Sequence, residues 1–65
     1  MKCQIGDIII RFFDSNQYRI RLIISYNDKF FYTKLIKSNC GGYDGWLDDD
    51  SDYRLITNLE KIKYL

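Results

Sequence analysis

Five aspartates, Asp44, Asp48, Asp49, Asp50 and Asp52, crowd one stretch of this 65-residue sequence beside Tyr43 and Trp46, and no Lys or Arg interrupts them. Carboxylates at that density suit two kinds of chemistry. Hard oxygen ligands can wrap Ca²⁺ or Mg²⁺ in a flexible loop, and a negative surface can steer a basic partner that aromatic rings then anchor. Residues 44–52 do not carry the EF-hand order of alternating acids with Gly and a closing Glu, so no metal site is read here. The bland alternative has the carboxylates capping turns in a solvated loop. For Trp46, lying between Gly45 and Leu47, the structural expectation is core closure together with Leu47, and the functional one is an exposed anchor.

A second constellation is basic. Arg11, Arg19, Arg21 and Lys34, with Tyr32 or Phe30 nearby, have the mixture of cations and rings that single-stranded nucleic acid binding uses. Its bland counterpart is the wet face of an amphipathic sheet, where charge also discourages edge pairing. Catalytic chemistry finds little material. The chain has no His, so the common Ser or Cys relay is absent, and no Ser-x-x-Lys spacing replaces it. Cys3 and Cys40 stand far apart, and zinc would need two further ligands. They are expected to be two ordinary thiols. No catalytic residue, metal or cofactor is assigned.

These side chains need elements to hold them. Residues 7–13 form an apolar run that ends at the turn cluster Asp14-Ser15-Asn16. In the next run Tyr18, Ile20, Leu22, Ile24 and Tyr26 recur at period two, with Arg19, Arg21 and Ser25 between them and Ile23 as the exception. That alternation predicts a half-buried strand with one wet face. Asn27-Asp28 turns the chain. Residues 29–37 then predict a third strand, with Phe31, Thr33 and Leu35 on one face and Phe30, Tyr32, Lys34 and Ile36 on the other. Apolar residues on both faces point to a central strand or to a face that meets a partner. Short connections make the three an antiparallel meander. After the acidic, glycine-rich segment 38–52, residues 53–57 predict a fourth strand and 62–65 a last one, with Asn58 capping a single helical turn between them.

The chain is therefore expected to be all-β: a small, strongly bent antiparallel sheet or barrel of four or five strands, one domain over residues 1–65. With its Ile5-Gly6-Asp7 opening, a long loop holding Trp46, then Tyr53-Arg54-Leu55-Ile56 and a closing Ile62-Lys63-Tyr64-Leu65, it resembles the SH3-like small β-barrels. The likeness is one of fold. It implies binding of peptides, proteins or nucleic acids more than catalysis. The Ala-Leu-Tyr-Asp-Tyr opening and paired Trp of peptide-binding SH3 domains are missing, so a proline-rich ligand is not implied.

Composition narrows the rest. Hydrophobic residues make up 46% and aromatics 17%, which favours a folded core over disorder. The net charge of +1 speaks against a basic nucleic-acid coat. Charge is nonetheless segregated: residues 1–37 carry seven Lys/Arg against three Asp, and residues 38–53 carry five Asp and no cation. Ile, Asn, Lys, Tyr and Phe supply 30 of 65 residues, while Ala, Val and Pro are absent. Codons for those five are rich in A and T, so a bacteriophage or mobile element is the expected source. Neither a signal peptide nor a membrane span is evident, and the cytoplasm is the expected compartment. The resulting expectation is a non-enzymatic protein that binds and modulates a host protein, such as a defence factor, through Tyr43, Asp44, Trp46, Asp48, Asp49, Asp50 and Asp52. The alternatives are a nucleic-acid-binding barrel using Arg11, Arg19, Arg21, Tyr32 and Lys34, or a self-associating structural subunit, a homodimer.

Overall fold

The computed structural model describes residues 3–65. Its elements are β1 (Ile8–Phe12), β2 (Tyr18–Asn27), β3 (Phe30–Ser38), β4 (Gly45–Asp48), β5 (Arg54–Leu55) and α1 (Asn58–Tyr64). The five strands make one antiparallel sheet in the order β4-β3-β2-β1-β5. The all-β expectation of an antiparallel sheet of four or five strands holds, and of its two forms the barrel does not. The sheet is open, with β4 and β5 as its two edges.

Local chemistry sets the hairpins. Asp14 Oδ1 accepts the amide N–H groups of Asn16 (3.0 Å) and Gln17 (3.2 Å), a side-chain substitute for backbone turn bonds. Asn27 pairs with Phe30, so the second turn is Asp28-Lys29, one residue later than the sequence suggests. Asp28 takes φ 52°, a left-handed conformation that Asp tolerates better than most residues.

The alternation in β2 is broken by irregular pairing. Between Ile23 and Ser25 the register with β3 slips by one, leaving Ile24 extra. A one-residue slip exchanges the faces of everything beyond it. Tyr26 therefore leaves the face of Ile20 and Leu22 and stacks on Phe31 across the other, with ring centroids 4.8 Å apart. The supposedly wet face is also no such thing: Arg21 and Ile23 are both buried on it.

Apolar clusters consequently form on both sides of the sheet. Ile9, Ile23, Phe31 and Tyr53 make one, with Cys3 and Leu47 packed against it. Ile10, Ile20 and Ile56 make the other, with Ile8, Tyr18 and Tyr64 at its margin. Two-sided burial explains why Ile8, Ile9 and Ile10 run without a polar break.

The C-terminus departs from the predicted strand. Residues 58–64 are helical, and the cap is Thr57 rather than Asn58. Glu60 N–H donates to Thr57 Oγ1 (3.1 Å) and Thr57 N–H donates to Glu60 Oε1 (3.0 Å), a complete capping box. Those reciprocal bonds start a helix where Ile62 and Tyr64 alone read as strand. The predicted fourth strand shrinks to Arg54–Leu55, and Ile56 N–H still bonds Ile8 O at 3.0 Å. Helix α1 is fastened by Tyr64, whose ring meets Tyr18 at 4.7 Å and Phe12 at 5.6 Å.

Candidate functional site

The acidic stretch is not one loop. Its middle is β4, an edge strand, and alternation along it separates two neighbours. Leu47, opposite Phe31, joins the core, whereas Trp46, opposite Tyr32, lies on the other face with 52% of its surface exposed. Core closure thus describes Leu47 and not Trp46. The indole meets the Tyr32 ring edge-on, with centroids 5.1 Å apart and planes at 64°, so its rotamer is braced from below. Beside it, Asn27, Phe30 and Trp46 line a shallow groove of about 300 Å³.

The aspartates divide by task. Asp44 Oδ1 accepts the Leu35 N–H at 2.7 Å, which ties the segment before β4 to β3. Asp48 Oδ1 accepts the Asp50 N–H at 3.1 Å, and Asp48 O accepts the Ser51 N–H at 3.1 Å, closing the turn after β4. Asp49 N–H reaches Lys29 O at 3.1 Å, docking that turn on the β2–β3 hairpin. Asp52 lies 3.6 Å from Arg11, with its side chain 81% exposed. Backbone hydrogen bonds therefore engage Asp44, on β3, and Asp48, in the turn after β4, while Asp49 and Asp50 are exposed residues at the tip. Among the described residues no three His, Cys, Asp or Glu side chains gather as a metal would require.

Tyr43 is the most exposed aromatic residue, at 87%, yet its backbone is held. Its carbonyl accepts from Arg21 Nη1 at 2.7 Å. The same guanidinium donates through Nε to Tyr53 Oη (2.8 Å) and through Nη1 to Thr33 Oγ1 (3.2 Å). Thr33 Oγ1 in turn donates to Gly45 O at 2.9 Å. Arg21 is only 6% exposed, so it works inside the fold as a pin between the two flanks of β4.

The five basic-face candidates do not make one surface. Arg11, Arg19 and Arg21 share a face, because Arg11 pairs with Arg19 and Arg21 with Ile9. Thr33 faces the same way, so Tyr32 and Lys34, its neighbours in β3, point to the other side. Arg11 and Arg19 converge instead on Phe13, each guanidinium carbon 4.5 Å from the ring centroid. Phe13 is a site residue that the basic pattern alone passes over, and its signal was the Arg-x-Phe spacing that places it beside Arg11 on one face.

Burial and the nearby Asp7 and Asp49 carboxylates push the Cys3 thiol up from its ordinary pKa, which makes it a poorer nucleophile. Both cysteines are free. No described helix is long and apolar enough to cross a membrane. No family model, curated protein or solved structure matches the chain.

Proposed function

We propose that the chain is a non-catalytic interaction module that binds a protein partner along the β4 edge. The observation that carries this reading is Trp46, half exposed and braced by Tyr32 on an edge strand. An edge strand offers a row of unpaired backbone N–H and C=O groups to an added strand. A rigid aromatic beside that row is the kind of anchor that dominates binding energy. Asp48, Asp49 and Asp50 at the end of β4 favour a basic segment. The partner is thus an extended, Lys/Arg-rich segment of another protein, a host protein on the mobile-element reading, whose own contacts the module occupies and inhibits. The five-stranded antiparallel sheet is compatible with a small β fold, and interaction is the common role among the SH3-like barrels that the sequence resembles.

A basic, strand-forming peptide titrated against Trp46 fluorescence tests the surface. Trp46→Ala, followed by a fluorophore on the peptide, weakens binding by about 30-fold if the indole is a hot spot. Asp48→Asn, Asp49→Asn and Asp50→Asn together lower the association rate at low salt. Unchanged binding by that triple variant at low salt would sink the assignment. The natural partner is then sought by affinity capture with and without nuclease, where a protein retained in both arms is followed and nuclease-sensitive recovery shifts the reading to nucleic acid.

A further inference from the structure

We infer that Arg11 and Arg19, held together over Phe13, form a binding site for a phosphate group. The two residues sit directly opposite in the β1–β2 ladder. Like charges in that relation repel and destabilise a sheet. Both guanidinium carbons lie 4.5 Å from one ring centroid, so they stand within twice that distance of each other. Where both forks extend past the rim of the ring on one side, one tetrahedral oxyanion can accept charge-assisted bonds of about 2.8 Å from each.

The protein itself neutralises little of this charge. Asp52 approaches only Arg11, at 3.6 Å and from an exposed side chain. Asp14, in the adjoining turn, already spends Oδ1 on the Asn16 and Gln17 amides. Arg19 has no carboxylate among its described contacts, and its buried Nε has no hydrogen-bond partner. Gly42 packs closely on the Arg19 side chain: a Cβ there would fall 2.9 Å from Nε, 3.1 Å from Cδ and 3.3 Å from Cζ. Two guanidinium groups on one ring, with one weak internal acid, suit a phosphate monoester or diester.

This site lies apart from the β4 edge and stands or falls independently of it. The probe is inorganic phosphate, titrated against the protein at constant ionic strength with chloride as the counter-anion control. Arginine side-chain NMR signals of Arg11 and Arg19 shift on titration, and phosphate raises the melting temperature where chloride does not. Arg19→Gln weakens binding by about tenfold or more, since charge-assisted bonds to one fork are lost. Asp52→Asn tightens it by removing the competing acid. Circular dichroism verifies that each variant is folded, and Arg11→Gln replaces Arg19→Gln if the latter is not. A short oligothymidylate forms the second arm: tighter, steeply salt-dependent binding identifies a nucleic-acid backbone as the source of the phosphate, and binding no tighter than phosphate identifies a free or small phosphorylated ligand. Equal responses to phosphate and chloride, or wild-type phosphate affinity in folded Arg19→Gln or Arg11→Gln, overturn the inference.

Discussion

Replacing Arg21 with Met tests how much of this small fold hangs on one buried cation. The guanidinium makes bonds of 2.8 Å to Tyr53 Oη, 2.7 Å to Tyr43 O and 3.2 Å to Thr33 Oγ1. Hydrogen bonds to a charged group contribute about 1.5–3 kcal/mol each, so the two short ones together are worth about 3–6 kcal/mol. Thr33 Oγ1 keeps its bond to Gly45 O and adds little to the loss. Against this, a buried guanidinium carries a desolvation cost of several kcal/mol, which Met does not incur. The net expected loss is about 2–4 kcal/mol, because Met fills the volume but leaves Tyr53 Oη and Tyr43 O without their donor. For a chain of this length total stability is on the order of 3–10 kcal/mol, so the variant loses a large share of it. Urea unfolding followed by Trp46 fluorescence measures the change. Tyr53→Phe in the same assay loses about 1–2 kcal/mol, and the double variant loses less than the sum by about 1 kcal/mol or more. Wild-type stability in Arg21→Met, or additivity within about 0.5 kcal/mol, refutes the pin.

Other consequences follow from α1. The Arg54 guanidinium, bonded to Glu60 at 2.7 and 2.6 Å, holds the Glu60 carboxyl down from its ordinary 4.5 to about 2, with the Thr57 bonds assisting. A depressed folded-state pKa contributes stability at pH above the unfolded value and loses it as pH falls towards the folded one. Stability therefore declines between about pH 4.5 and pH 2, and Glu60→Gln flattens that part of the profile in acid titrations followed by circular dichroism. Thr57→Ala removes the cap and costs about 1 kcal/mol, read as a lower urea midpoint with an unchanged slope.

The sequence by itself determined the class of this protein. Ile-rich and aromatic runs between Asn/Asp turns specify strands, and short connections specify an antiparallel meander, because both are local effects of alternation and turn chemistry. Thr57 and Glu60 stand at capping-box spacing, but the sequence reading places the cap one residue late, at Asn58, and reads Ile62 and Tyr64 as strand. Segregated charge located an acidic stretch on one segment. What only the tertiary structure decided is which side each residue faces. The extra Ile24 moves Tyr26 across the sheet, and no local propensity encodes that slip, since it depends on how β3 fits beside β2. Arg21 reads as a solvent-facing charge until Tyr53 and Tyr43, both distant in sequence, arrive to satisfy it. Trp46 and Leu47 part company only once β4 lies against β3. Whether the sheet closes depends likewise on non-local pairing of its edges, which is why the strands alone are compatible with a bent open sheet or a barrel and only the structure decides for the open sheet.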